Sequence, residues 1–166
     1  MTEHDPKAPS PNIFLREVGD SDIPIFFEQQ LDLEANHMVA FTAKDPSDRA
    51  AFQKKWVKIR GEASITVRTI VYKGHVAGHI LSYLQSGDLE VGYWIGKEYW
   101  GKGIATRALA ELLKIVTVRP LHARTAKDNI ASARVLQKCG FKITGEGKGF
   151  ANARGMVVEE YIFRLE

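Results

Sequence analysis

The segment Trp94-Ile-Gly-Lys-Glu-Tyr-Trp-Gly-Lys-Gly-Ile-Ala-Thr106 constrains the fold more than any other part of this 166-residue chain. An apolar run from Leu89 to Ile95 predicts a strand, and Gly101 and Gly103 predict a turn that leads into a helix. Strand, glycine loop and helix N-terminus together bind phosphate well, because backbone N–H groups point outward and glycine allows close approach. The sequence therefore predicts a phosphate-bearing ligand at this loop.

The glycine spacing separates this loop from the common nucleotide-binding loops. A Walker loop requires Gly-x-x-x-x-Gly-Lys-Ser/Thr, and a dinucleotide loop requires a third glycine where this chain has Thr106. The spacing Glu98-x-x-Gly101-x-Gly103 resembles the pyrophosphate loop of the GNAT superfamily of acetyl-CoA-dependent N-acetyltransferases, usually Gln/Arg-x-x-Gly-x-Gly/Ala. Glu98 departs from that pattern. The alternative interpretation is a glycine-rich turn before an ordinary helix.

A second segment, from Asn129 to Phe141, is similar to the second cofactor-binding element of the same superfamily, in which an Asn opens a helix and Gly-Phe closes it. Asp128 or Asn129 can cap the helix N-terminus, and Gly140 suits the position just beyond its C-terminus. The two motifs occur in the expected order, and the resemblance covers most of residues 64–166. The chain is identified as a member of this superfamily, closest to its ribosomal-protein N-terminal acetyltransferase branch.

The resemblance implies a single α/β (α+β) domain with a GNAT fold over residues 13–166, and the polar, proline-containing composition of residues 1–12 predicts a flexible tail. We expect a mixed, mostly antiparallel central sheet of about six to seven strands flanked by about four helices, with the cofactor held where the central strands splay. The other predicted elements used below are a helix from Asp22 to about Glu34, a helix starting at Asp45-Pro46, a strand over Phe141–Gly145 and a flexible basic loop over 148–154.

The same resemblance assigns backbone groups to the acetyl-CoA site. Those of Trp94, Ile95 and Gly96 are expected to pair with the pantetheine arm as an added strand would. Backbone N–H groups in the glycine loop are expected to hold the pyrophosphate. The loop residues concerned are Trp100, Gly101, Lys102, Gly103, Ile104 and Ala105.

Side chains complete the predicted cofactor site. Thr106 can add a hydroxyl group, and Lys102 or Arg107 can add positive charge, although both cations also suit a solvated helix start. By resemblance, Asn129 hydrogen-bonds the pantetheine and Arg134 reaches the phosphate end.

Glu90 is the candidate general base for deprotonating an amine. Alternation along the strand puts Glu90, Gly92 and Trp94 on one face, and the ribosomal-protein branch has a glutamate at this place in Glu-x-Gly-Tyr-Trp. The alternative is a carboxylate on a solvated strand face. Asp88 is the second candidate, although it also suits a turn.

Ser132 is the candidate general acid for the departing thiolate. Many GNAT enzymes have a tyrosine at the position of Leu136, whereas the ribosomal-protein branch has a serine one turn earlier, as here. Ser132 also suits close helix packing as a small residue, and in that case the thiolate leaves without an acid.

The acceptor is a primary amine that the sequence does not identify. Aromatic residues in the N-terminal half and on the first hairpin are candidates for lining its pocket or forming core, and His37 is a further candidate. These aromatic residues are Phe26, Phe27, Phe41, Trp56 and Tyr83.

Composition limits the remaining functional classes. A formal net charge of +3 suits a phosphate-bearing cofactor and is too small to argue for nucleic acid, and no apolar run could span a membrane. A single cysteine, Cys139, suits a cytoplasmic protein, and the histidine spacing predicts no metal site. We predict an acetyl-CoA-dependent N-acetyltransferase, with a homodimer possible by resemblance. The alternatives are a non-catalytic acyl-CoA-binding or sensing module and a general nucleotide-phosphate binder.

Overall fold

A computed structural model describes residues 12–166, which form seven strands, five α-helices and one short 3-10 helix. In chain order the elements are β1 (Ile13–Arg16), α1 (Asp22–Gln30), α2 (Leu33–Val39), α3 (Arg49–Gly61), β2 (Thr66–Tyr72), β3 (His75–Gln85), β4 (Asp88–Ile95), the 3-10 helix (Lys97–Tyr99), α4 (Ile104–Ile115), β5 (Leu121–Ala126), α5 (Ile130–Lys138), β6 (Lys142–Ala151) and β7 (Met156–Leu165).

The strands form one sheet in the order β1-β2-β3-β4-β5-β7-β6. Only the β4–β5 pair is parallel, so the prediction of a mixed, mostly antiparallel sheet is confirmed. The β4–β5 pairing registers at Glu90 and His122 alone, and beyond that point the two strands separate. The sheet therefore opens at its centre, as expected.

Helices cover both faces of the sheet, and each face has its own apolar cluster. One cluster joins α4 and α5 to the strands, with Leu109 and Leu136 almost fully buried. The other joins α1 and α3 to the sheet through Phe26, Trp56 and Val67. Because successive strand residues alternate in direction, one sheet can bury both clusters.

The first predicted helix is wrong at its C-terminal end, which raises the helix count from about four to five. The helix α1 ends at Gln30, and the Asp32 side chain accepts a 2.8 Å hydrogen bond from the Ala35 backbone N–H, which starts α2. The next helix begins at Arg49 and not at Asp45, because Asp48 supplies its N-terminal cap.

The predicted loop over 148–154 is also wrong, because β6 continues to Ala151. Glycines alternate along β6 and lower its intrinsic strand propensity, but pairing with β7 holds it extended. The turn over 152–155 is anchored by Arg154, which donates to Asp128 at 2.6 and 2.8 Å and to the His37 carbonyl at 2.8 Å. This hairpin thus ties the end of α2 to the start of α5.

The predicted tail lies outside the described residues except for Asn12, whose carbonyl accepts a 2.8 Å hydrogen bond from the Lys73 backbone N–H. Within residues 12–166, no helix has the length and apolar character needed to cross a bilayer.

Candidate active site

A cleft of about 1000 Å³ occupies the opening between β4 and β5 and brings together most of the predicted site residues. Those lining it are Glu90, Trp94, Ile95, Trp100, Gly101, Gly103, Ile104, Ala105, Thr106, Asn129, Ser132 and Arg134. Gly96 and Lys102 are not among the lining residues. A smaller cavity of about 530 Å³, near the β3–β4 turn and the loop before β5, is lined by Asp88, the second candidate for the base, and by none of the predicted cofactor residues.

The exposed edge of β4 offers the backbone of Ile95 and not that of Gly96. The Gly96 N–H donates to the Ala77 carbonyl at 2.8 Å, and the Gly96 carbonyl accepts from the Tyr99 N–H at 2.8 Å. Because backbone groups alternate in direction along an antiparallel pair, Trp94 also points its N–H toward β3, whereas Ile95 points away. The Gly96 backbone groups are thus paired within the chain and those of Trp94 face β3, while the Ile95 N–H faces away from β3, and the pairing of this segment with the pantetheine arm stays a prediction.

The glycine loop has the backbone conformation that its sequence predicts. Gly101 and Gly103 have φ values of 75° and 74°, and Gly103 precedes the first residue of α4. The Trp100 indole N–H donates to the Ile95 carbonyl at 2.9 Å and fixes the loop against the end of β4. The first N–H groups of an α-helix have no partner within the helix, so the start of α4 can receive an anion.

The second motif also forms at the cleft. The Asn129 side-chain oxygen accepts a 3.3 Å hydrogen bond from the Ser132 backbone N–H and caps α5, so its amide NH₂ group is what it can offer a ligand. Arg134 is exposed along the cleft, as is Lys138, which the sequence reasoning did not single out. Two cations therefore follow α5 from this cap.

Glu90 is only 4% exposed, so the alternative of a solvated carboxylate is wrong. Its carboxylate accepts a 3.0 Å hydrogen bond from Arg124, which also donates to Glu160 at 2.9 Å. Burial and then the charge of Glu90 raise the pKa of Tyr83 to about 12, so the phenol beside Glu90 stays protonated. Two carboxylates and one guanidinium thus share this end of the cleft.

The sequence reasoning missed Arg124 and Glu160. Each is a charged residue inside an otherwise half-buried strand, which is an unusual position for an unpaired charge. A charge at such a position is expected to have a partner of opposite charge. The fold identifies the partners, because Arg124 contacts both Glu90 and Glu160.

Ser132 has a partner that sequence reasoning also missed. Its hydroxyl lies 2.7 Å from the Tyr93 hydroxyl, across from β4 to α5, and both residues line the cleft. Burial raises the pKa of Tyr93 to about 12, although the hydrogen bond with Ser132 acts in the opposite direction. The alternation of side chains along β4 puts Tyr93 on the same face as Leu89, Val91 and Ile95. The sequence of the strand therefore gave no indication that Tyr93 contacts Ser132.

Aromatic residues of the N-terminal half divide between the core and the cleft. Phe26 and Trp56 pack together in the core with ring centroids 4.9 Å apart. Phe41 and Tyr83 line the cleft, and Tyr83 is paired with Glu90 between β3 and β4. His37 is exposed and does not line the cleft; its backbone carbonyl instead binds Arg154.

The described residues contain no group of three or more His, Cys, Asp or Glu side chains that could hold a metal ion. The polar side chains that line the cleft include the carboxylates of Glu90 and Glu160, the guanidinium groups of Arg124 and Arg134 and the hydroxyls of Tyr93 and Ser132.

A sheet that splays at a buried carboxylate, with a glycine loop at a helix N-terminus beside it, agrees with the fold that the resemblance to acetyltransferases implied. Residues 12–142 match the model of the acetyltransferase (GNAT) domain, and the chain therefore belongs to that family.

Known proteins similar to this chain are consistent with the family. The uncharacterized N-acetyltransferase p20 of Bacillus licheniformis is 27% identical over 85 residues, which are 49% of this chain and 48% of that protein. The matched stretch thus spans about half the length of this curated relative.

Two solved structures show the same fold. RimL, a ribosomal alpha-N-protein acetyltransferase, has a TM-score of 0.77 at 18% identity, covering 95% of this chain and 92% of its own. Mycobacterium smegmatis RimJ in complex with CoA-disulfide has a TM-score of 0.76 at 22% identity, covering 92% and 81% of the two chains. At these identities the likeness concerns the fold.

Proposed function

We propose that this protein transfers the acetyl group of acetyl-CoA to a primary amine by direct attack in a ternary complex. One observation carries the proposal: a buried carboxylate, Glu90, and an anion-receiving glycine loop open into the same cleft at the point where β4 and β5 separate. Family membership supports acetyl transfer, and the CoA complex of the similar RimJ supports the cofactor.

Residues of the cleft can be assigned to three parts of acetyl-CoA, which are the pantetheine arm, the pyrophosphate and the phosphate end. The outward N–H of Ile95 suits a carbonyl of the amide-rich pantetheine arm, since the Ile95 carbonyl already accepts from the Trp100 indole, and the NH₂ group of Asn129 can bind a carbonyl of the same arm. The loop from Trp100 to Ala105 and the hydroxyl of Thr106 suit the pyrophosphate. Arg134 suits the phosphate end, because it lies exposed on the same cleft.

Glu90 is suited to accept the proton that the attacking amine must lose. It is held by Arg124 and lies beside Tyr83, so its carboxylate has one orientation in the cleft. The nitrogen bonds to the thioester carbon, the C–S bond breaks, and the electron pair leaves on sulfur. Holding the amine against the thioester contributes most of the rate enhancement in such a reaction, because it removes the entropy of encounter.

The acceptor remains assigned only as an amine, either a small molecule or a protein N-terminus. Phe41 and Tyr83 offer it an apolar wall beside the Glu90 carboxylate. We further propose a cytoplasmic enzyme with no nucleic-acid or membrane partner, consistent with a formal net charge of +3, and a homodimer as its oligomeric state to test.

Glu90→Gln tests the proposal, because it removes the basic oxygen and keeps the shape. We expect turnover to fall by at least about 100-fold, the usual contribution of a general base, while calorimetric affinity for acetyl-CoA stays within about twofold. Glu159→Gln is the matched control, since that carboxylate lies on β7 with a side chain 72% exposed. We expect the control to keep wild-type turnover.

The outcomes separate the parts of the proposal. Unchanged turnover in Glu90→Gln removes Glu90 as the base. Acetyl-CoA binding without transfer to any of a panel of amines supports the non-catalytic acyl-CoA module. Binding of ATP as tightly as acetyl-CoA removes the cofactor assignment altogether.

A further inference from the structure

The contact between Tyr93 and Ser132 links the strand β4 to the helix α5 inside the cleft. Their hydroxyl oxygens are 2.7 Å apart, a normal length for an O–H···O hydrogen bond. The Tyr93 hydroxyl also donates to the Ser132 carbonyl at 3.4 Å, a longer and therefore weaker contact. The short contact therefore joins the two hydroxyl groups.

Tyr93 is the better donor of the pair. A phenol is a stronger acid than an aliphatic alcohol, and burial holds this phenol protonated, with a pKa of about 12. When Tyr93 donates to the Ser132 oxygen, the proton of Ser132 must point elsewhere. Chains of hydrogen bonds polarise one another, so the Ser132 O–H becomes a stronger donor than it would be alone.

The surroundings of the pair direct that proton into the cleft. The Tyr93 side chain packs among apolar residues of the α4–α5 cluster, including Cys139 and Val135. Ser132 is half-buried and lines the cleft, which gives its hydroxyl an open side. The position one turn along α5 is Leu136, which is buried in the core and has no hydroxyl to offer.

We infer that Tyr93 is a positioning residue that orients the Ser132 hydroxyl toward the sulfur of the cofactor, so that Ser132 donates a hydrogen bond to the departing thiolate. This inference rests on the proposed acetyl transfer. The sulfur keeps the electron pair of the broken C–S bond and takes its proton from solvent on release. Tyr93 therefore acts on the reaction only through Ser132.

Tyr93→Phe removes one oxygen and keeps the ring that packs against α5. We expect kcat with a working amine to fall about tenfold, the effect of one lost hydrogen bond of about 1.4 kcal/mol, while the KM for acetyl-CoA stays within about twofold. Tyr161→Phe is the matched control, a half-buried tyrosine on β7 outside the cleft. We expect that variant to match the wild type.

A second readout does not depend on turnover. The pKa of the bound CoA thiol can be followed by thiolate absorbance during a pH titration of the CoA complex, with the CoA-free protein as the blank for Cys139. We expect that pKa to lie below the value for free CoA in the wild type. In Tyr93→Phe and in Ser132→Ala it is expected to return toward the free value.

The double variant distinguishes positioning from an independent role. If Tyr93 acts through Ser132, Tyr93→Phe has no further effect on kcat in the Ser132→Ala background. If the kcat losses of Tyr93→Phe and Ser132→Ala multiply in the double variant, the inference is overturned. It is also overturned if Tyr93→Phe leaves the pKa of the bound CoA thiol unchanged, or if its kcat equals that of the Tyr161→Phe control. A wild-type protein that binds CoA but acetylates no amine refutes the proposed function, whereas a wild-type enzyme with an unaffected Tyr93→Phe variant refutes this inference alone.

Discussion

Asp22 is a buried carboxylate whose removal should destabilise the fold by an amount that depends on pH. Its side chain is 1% exposed and accepts hydrogen bonds from Arg16 at 2.7 and 2.9 Å, from the Gly19 N–H at 2.8 Å and from Thr69 at 2.7 Å. Arg16 and Thr69 are paired on β1 and β2. Asp22 thus fastens the start of α1 to the edge of the sheet.

The size of the effect follows from the titration of this carboxyl. Burial opposes the charged form, but the hydrogen bonds from Arg16, Gly19 and Thr69 outweigh it and lower the pKa of Asp22 from 3.8 to about 2. A carboxyl with a lowered pKa stabilises the fold above the unfolded value and loses that effect as the pH falls through the folded value. This lowering of the Asp22 pKa corresponds to about 2.4 kcal/mol of folding stability at pH 7. About half of that stabilisation is lost by pH 3.

Asp22→Asn should therefore lower the free energy of unfolding by about 2–3 kcal/mol at pH 7, because the amide NH₂ group also faces the donors that the carboxylate accepted. The difference from the wild type should be smaller by about 1 kcal/mol at pH 3. Urea unfolding at the two pH values measures both quantities.

Asp20→Asn is the control, since Asp20 lies two residues earlier with a side chain 96% exposed and pairs with Arg60 at 2.7 Å. Its loss should cost less than about 0.5 kcal/mol at either pH, as for other surface ion pairs. The reasoning is refuted if Asp22→Asn lowers the free energy of unfolding by the same amount at pH 7 and at pH 3. It is also refuted if Asp22→Asn lowers that free energy no more than Asp20→Asn does.

Two glycine substitutions test the loop and the sheet. Gly103→Ala and Gly74→Ala both place a Cβ in open space at φ values of +74° and +81°, and each should cost about 1 kcal/mol of stability from backbone strain. Only Gly103→Ala should weaken acetyl-CoA binding, by about tenfold in calorimetry, because its Cβ occupies the approach to the helix start. If Gly103→Ala and Gly74→Ala bind acetyl-CoA with equal affinity, the glycine loop is not part of the cofactor site. Gly78→Ala places a Cβ 2.0 Å from the Trp94 carbonyl oxygen, whereas Gly92→Ala meets nothing closer than the Tyr83 ring at 3.6 Å. The first should lose about 3 kcal/mol or more in urea unfolding and the second less than about 1 kcal/mol, and similar losses would contradict the strand packing.

The elements that could be predicted from sequence are those whose signal is local. The apolar period of α4, the hairpin around Gly74 and the glycine loop before α4 each depend on residues close together in the chain. The cofactor side of the candidate site is built from two such segments, so their side chains were predictable as a group. The cap that starts α5 at Asn129 is local in the same way.

The elements that could not be predicted depend on distant pairing. The length of β6 is set by β7, since its own alternating glycines give little strand preference. The contact of Glu90 with Arg124 joins residues 34 apart, and that of Tyr93 with Ser132 joins residues 39 apart. The break between α1 and α2 was readable in principle, because Asp32 is a good N-cap residue, but the apolar pattern continued through it.

The place of β7 in the sheet has a consequence for biosynthesis. This strand follows all the others in sequence, yet it lies between β5 and β6 and carries Glu160 into the cleft. Until residues 156–165 have been made and have left the ribosome, β5 lacks its β7 neighbour, and an unpaired strand edge is one that other chains can extend. The acidic end of the cleft therefore cannot form until β7 has been synthesised, and until then the chain carries an unpaired edge of the kind that favours association with other chains.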